Sequence, residues 1–221
     1  MCRDGDRRAD AKEIAGKFEP QGRIGTMINP LAPVSTTNAR ECIFTTMISD
    51  LRDSILNTWR TSNRLTVFLV ERIPPELWAS AIPGAPRRTI RMMAGHIHNS
   101  RCQWIKTLGE ELGVAVPRSV DRRKVSRRVL ASALGRSSRG ILDLLALGCE
   151  RGGGIPAAST YVWRNLPLDV GHVLGYFVAH EAHHRGQIVV VGLALGYRLP
   201  RNVTDGLWQW NKRSAEAGLA R

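Results

Sequence analysis

Six histidines stand in this chain of 221 residues, and they fall in two strings. His96 and His98 lie in GHIHNS; His172 precedes HEAHH, which supplies His180, His183 and His184. On a helix, residues four apart share a face one turn apart, so His180 and His184 project side by side. That is the geometry by which two imidazoles grip one metal ion. Phe177, Ile188 and Val191 share the same face, which makes it apolar. Two unpaired imidazoles against a core would leave ring nitrogens unsatisfied, at ~1–3 kcal/mol each. A bound metal removes both penalties. His96 supplies the third ligand, because it shares a face with Met93, Ser100 and Trp104 and points into the bundle. Alone it would read as a satisfied core histidine; beside an HxxxH pair it reads as a ligand. Three neutral histidines leave at least one coordination position open, as in a catalytic site.

The other histidines play smaller parts in this reading. His98 points about 200° away from His96 and belongs at the surface or in a cap. His183 lies one position off the inward stripe, and with Glu181 and Arg185 it forms the set expected to support the ligands from behind. His172, in a first helical turn, has no evident partner. The string His180-Glu181-Ala182-His183-His184 also satisfies HExxH, in which a glutamate serves as general base of a zinc protease. No histidine follows His184, Gln187 takes the place of the extended motif's glycine, and the only later glutamate is Glu216 in an expected frayed tail. A peptidase is therefore set aside.

Helices must position these residues. From Thr45, apolar residues recur at three- and four-residue steps through Ile48, Leu51, Ile55, Trp59, Leu65 and Leu69, and Pro74-Pro75 ends that helix. A turn-rich connector with Pro83, Gly84 and Pro86 follows. A second helix runs from about Thr89 to Leu112. A third, capped by Ser119 or Asp121, carries Val125, Val129, Leu134, Ile141 and Leu145 until Gly152-Gly153-Gly154 breaks it. Residues 152–168 form a loop long enough for a crossover or a site wall. Asp169 caps a fourth helix running to about Leu195, with an inward stripe of Val173, Phe177, His180, His184, Val191 and Leu195. Trp208 and Trp210 sit in a closing segment packed over one end. With no strand alternation, the fold is all-α: a four-helix bundle over 43–213, a flexible N-terminal extension over 1–42 and a short tail over 214–221.

Composition narrows the function. Hydrophobic residues make up 43% of the chain, no apolar run approaches a membrane span, and the N-terminus lacks the apolar stretch of a secretory signal. Cys2, Cys42, Cys102 and Cys149 have no CxxC spacing, which excludes a cysteine zinc knuckle and a dense disulfide framework. None of them reads as a nucleophile. A cytoplasmic, reduced protein with no membrane partner is expected. The net charge of +13 rests on 32 basic residues, of which 27 are Arg. The densest cluster, Arg118, Arg122, Arg123, Lys124, Arg127 and Arg128, reads first as a solvated helix face and second as an anion or phosphate patch.

Taken together, these motifs resemble a known family. HEAHHRGQI (180–188), LGYRLP (195–200), LWQW (207–210), AGHIHNSRCQWI (94–105) and Trp59 with Asn63 are similar to the signatures of DinB-like proteins. The resemblance covers about 45–211 and leaves the N-terminal extension outside. It implies a four-helix bundle with a long crossover and a divalent metal, zinc or nickel, on three histidines, which match His96, His180 and His184. Some relatives are thiol S-transferases or thiol-dependent isomerases that use bacillithiol or mycothiol, many have no assigned activity, and the family name reflects induction by DNA damage.

Three readings follow. The first is a metal-dependent S-transferase in which the ion lowers the pKa of a small thiol cosubstrate. Arg101, Arg185 and the 122–128 cluster are its candidates for attracting an anionic thiol, although a structural salt bridge or solvent exposure is the expectation for each. The second is a basic, damage-related DNA-binding protein, disfavoured because no reading motif is present and few aromatics interleave the arginines. The third is a metal-binding scaffold without catalysis, with a homodimer through a bundle face as its partner.

Overall fold

The computed structural model describes residues 36–162 and 164–219. Residues 1–35 of the expected flexible extension lie outside them, but 36–42 are helical, so the first helix begins ahead of the expected Thr45. The element order is α1 (Thr36–Arg72), α2 (Pro75–Trp78), β1 (Ala81–Ile82), β2 (Ala85–Thr89), α3 (Ile90–Gly109), α4 (Arg127–Glu150), α5 (Val170–Ala194), α6 (Arg201–Thr204) and α7 (Trp210–Glu216). The four long helices α1, α3, α4 and α5 form the bundle. No helix among the described residues is long and apolar enough to cross a membrane.

Local chemistry sets the boundaries. Pro74 lacks the amide that would continue α1, and Pro75 opens the short α2. Thr89, Ser126 and Asp169 cap α3, α4 and α5, each side chain accepting a hydrogen bond from the backbone amide three residues on. The cap of α4 differs from expectation. Asp121 instead accepts from the Arg123 amide and folds a turn before the helix, so Arg118–Lys124 is loop rather than helix face. The turn-rich connector is also more ordered than its sequence implies: Ala81–Ile82 and Ala85–Thr89 pair as an antiparallel hairpin, turned at Gly84 with φ +74°. Two prolines and a two-residue strand leave no alternation to read.

The closing segment departs from expectation as well. Trp208 is 83% exposed and Trp210 is also exposed, so neither packs over the bundle. Arg213 docks the segment instead: it is 1% exposed, its guanidinium lies 3.9 Å over the Phe68 ring, and it pairs with Glu216 at 2.8 Å. Glu216 also accepts from Arg64 at 2.8 Å, which ties down a residue expected to fray.

Two apolar cores lie along the bundle. One gathers Phe68, Leu69, Ile73, Ile97, Leu134 and Ile188; the other gathers Trp59, Trp104, Ile105, Ile141, Leu145 and Phe177. Each long helix passes from one core to the other through a buried polar step. The steps are Ser62 and Thr66 on α1, Arg101 on α3, Ser137 and Ser138 on α4, and Glu181 and Arg185 on α5. The bundle therefore has a polar waist, and His180 and His184 belong to the same turns of α5.

Candidate metal centre

Three histidines meet beside that waist. His96 from α3 and His180 and His184 from α5 each offer a ring nitrogen, and the three nitrogens lie within 4.8 Å of one another. The Nε2 atoms of His180 and His184 are 3.2 Å apart. The ring of His96 faces both, its centroid 5.4 Å from that of His180 and 4.8 Å from that of His184. A tetrahedral zinc with Zn–N bonds of about 2.0–2.1 Å needs nitrogens roughly 3.3 Å apart. The α5 pair already has that spacing.

The protonation states suit a cation. Burial is the largest cause in each case, and the neighbouring histidines add to it: His180 is pushed down to about 4, and His96 and His184 are lowered in the same direction. Arg122 and Arg88 lower His96 further. Neutral rings meet at 3.2 Å as a hydrogen bond when one Nε2 carries its proton; with both protons on Nδ1 the two Nε2 lone pairs converge, and a cation between them relieves the repulsion. The donor set fits a divalent ion with imidazole affinity.

Other side chains fix the ring orientations. The amide oxygen of Gln187 accepts from Nδ1 of His184 at 2.9 Å, which leaves the Nε2 lone pair of His184 facing His180. The amide nitrogen of Gln187 donates to Nε2 of His183 at 2.8 Å. Tyr176 stacks on His180 with centroids 5.8 Å apart and planes at 13°, and its hydroxyl accepts from Trp104 Nε1 at 3.2 Å. Both orienting residues sit one helical turn from a ligand, at i,i+3 and i,i+4 positions that the sequence does offer as a signal.

A family model described as DinB family matches residues 47–214. The chain belongs to the DinB family. No curated protein and no solved structure matches it. The all-α fold is the DinB-like one, and the group His96, His180 and His184 is able to bind a metal ion.

In this DinB protein Glu181, Arg101 and Arg185 face elsewhere, while His183 and Arg122 reach the open side of the centre. Glu181 is fully buried on the opposite side of α5 from the ligands' open face. Its Oε1 accepts from Arg101 Nε at 2.6 Å, and its Oε2 accepts from Arg101 Nη2 at 2.8 Å and from Thr66 Oγ1 at 2.7 Å. A carboxylate so engaged has no access to a substrate water, so the HExxH string carries no general base. Arg185 donates to Thr66 at 2.8 Å and lies 3.8 Å from Glu181. Arg101 also donates to Asn63 Oδ1 and the Leu134 carbonyl and lies 4.7 Å over the Trp59 ring. Arg101 and Arg185 are thus structural ion-pair residues. His98, expected at the surface, is fully buried: its Nε2 donates to the Arg118 carbonyl at 3.1 Å and its Nδ1 accepts from Ser137. Cys102 is buried with its sulfur 3.3 Å from His98 Nε2, and burial pushes its thiol up, so it is no nucleophile. His172 pairs with its own cap, Asp169.

The open side of the centre is a cavity of about 650 Å³. His96, His183 and His184 reach it, with Met92, Met93, Val190 and Val191 as its apolar lining. Its wall comes from the β1–β2 hairpin and the loop before α4. The described residues of the 152–168 loop do not line it. That loop docks on the end of α3 instead, where Ser159 hydrogen-bonds Glu111 and the Thr160 hydroxyl donates to the Thr107 carbonyl at 3.0 Å.

Proposed function

We propose that this protein is a metal-dependent S-transferase that joins a small thiol to an electrophile at the three-histidine centre, with zinc or nickel as its ion. One observation carries the reading: the Nε2 atoms of His180 and His184 are 3.2 Å apart, and His184 and His96 line a cavity large enough for two small substrates. When bound, a divalent ion there supplies the acidification of a thiol sulfur at neutral pH. His96, His180 and His184 hold it; Gln187 and Tyr176 keep two of the rings aimed. Met92, Met93 and Val191 exclude water from one side of the cavity. The sulfur lone pair forms the new S–C bond while the leaving group departs with the electrons of the bond it breaks. The thiol proton goes to water through the open side.

The test is turnover of a panel of small thiols with an activated aryl halide by the zinc-loaded and nickel-loaded chain. Metal-dependent product formation, lost in His180→Ala, is the expected result. Stoichiometric metal with no turnover for any thiol would favour a non-catalytic metal-binding protein instead.

A further inference from the structure

Two arginines outside the polar waist look into the same cavity. Arg88 is the penultimate residue of the hairpin strand β2 and is exposed; Arg122 sits in the loop before α4 and is half-buried. Among the described residues neither has a hydrogen-bond or ion-pair partner, although nearly every other half-buried or buried arginine near the bundle is satisfied by a carboxylate or carbonyl. No aspartate or glutamate lines the cavity.

The position of Arg122 is built. A Cβ placed on Gly95 would come within 3.1 Å of the Arg122 side chain and 3.5 Å of its Cα. Gly95 immediately precedes His96, so its missing side chain lets the Arg122 backbone and stem pack closely on α3 beside the three histidines. The rest of the lining is largely apolar and includes Met92, Met93, Val190 and Val191. All three metal-binding groups are neutral, so a divalent ion held there keeps its full charge, and the nearest carboxylate, Glu181, is neutralised by Arg101. The cavity therefore combines uncompensated positive charge with a largely apolar lining.

We infer that Arg88 and Arg122 form an anion-holding pair, and that the cavity takes a small organic anion whose carboxylate or phosphate meets the two guanidiniums while an apolar body lies along the methionine and valine wall. This inference names the substrate class of the site proposed above and rests on that reading only in placing the ligand beside the three histidines. Paired guanidiniums recognise planar or tetrahedral oxyanions through several charged hydrogen bonds. A thiol or an electrophile bearing such a group is selected over a neutral one of the same shape.

Calorimetric titration of the full chain with hexanoate, hexyl phosphate, hexanol and hexylamine tests it, in metal-free and zinc-loaded protein. The anions are expected to bind about tenfold or more tightly than hexanol in both forms, as charged hydrogen bonds of this kind provide. The relative strength of hexanoate and hexyl phosphate identifies which oxyanion the pair prefers. Arg88→Met and Arg122→Met should each remove most of that preference while leaving zinc stoichiometry and thermal unfolding unchanged. Equal binding of hexanol and the anions would overturn the inference. So would anion binding that requires zinc and ignores both arginine substitutions, because the oxyanion would then sit on the metal alone. The metal-free titration reads the anion pair independently of thiol transfer, so failure of one leaves the other standing.

Discussion

Arg101 and Glu181 meet in a two-point ion pair, 2.6 and 2.8 Å long and 1% and 0% exposed, with Glu181 one residue along α5 from His180 of the three-histidine group. The pair anchors the waist between the two apolar cores and sets the rotation of α5 that turns His180 and His184 toward α3. Removing one partner strands a buried charge. Glu181→Leu should destabilise the fold by about 3–5 kcal/mol in urea unfolding, because Arg101 keeps its charge without its counterion. The double variant Arg101→Met/Glu181→Leu should cost clearly less than the single one. A double variant as damaged as the single would show that the waist matters for its hydrogen bonds to Asn63 and Leu134 rather than for charge balance.

The waist also marks where sequence reasoning stopped. Helix periodicity is written by apolar residues, so α3 and α5 were legible almost to the residue, and Asp169 declared its helix start. Glu181 and Arg185 lie at the centre of the buried face of α5, yet their type assigns them to solvent unless the partners across the bundle are known. Thr66, Asn63 and Arg101 come from helices far apart in sequence, and no local pattern links them. The true inward stripe is therefore Val173, Phe177, Glu181, Arg185 and Ile188, with the histidines at its edge. That edge position is what a metal centre needs, half-buried and open to a cavity. Ligand spacing was readable because it is local. The cavity wall was legible only in part: Arg122 stood in the 122–128 cluster weighed for an anionic thiol, whereas Arg88 reaches the cavity through a hairpin that no pattern announced.

Loss of a ligand should abolish metal binding. Wild-type chain is expected to hold about one zinc, and His96→Ala and His180→Ala none after dialysis, by elemental analysis. Zinc at about a hundred times its dissociation constant stabilises the folded state by about 2.7 kcal/mol. For a domain of this size that is a rise of roughly 5–10 °C in the unfolding midpoint, absent from both variants. A variant that still retains one zinc would remove its histidine from the site.

Gln187 should tune affinity without being a ligand. Its amide oxygen fixes the His184 tautomer, so Gln187→Leu frees the ring to rotate and to place its proton on Nε2. Competition with a chromophoric chelator is expected to show zinc binding weakened about 10–100-fold. Gln187→Glu keeps an acceptor at Nδ1 and should recover most of the loss. Equal weakening in both variants would mean that the amide's bond to His183 matters more than its bond to His184.

The buried histidines also set a pH dependence with a definite sign. His180 titrates near 4 in the folded protein, against 6.5 for its ordinary value, and His96, His98 and His184 are lowered too, burial being the largest cause for each. Between these values the unfolded chain binds protons that the folded chain refuses. The histidine contribution to the stability of the metal-free protein is therefore full above about pH 6.5 and falls as pH drops toward 4. The lowered carboxylates Glu111, Asp169 and Glu216 act in the same direction but only below their ordinary values, 4.5 for the glutamates and 3.8 for the aspartate, so the interval from 6.5 to 5 belongs mainly to histidine. Urea unfolding at pH 7.5 and pH 5 with chelator present measures it. His180→Ala should lose less stability over that interval than wild type, since one refused proton is gone. An identical loss in both would mean that His180 is as easily protonated folded as unfolded, and the argument for a neutral, cation-seeking pair at the Nε2 contact would fail with it.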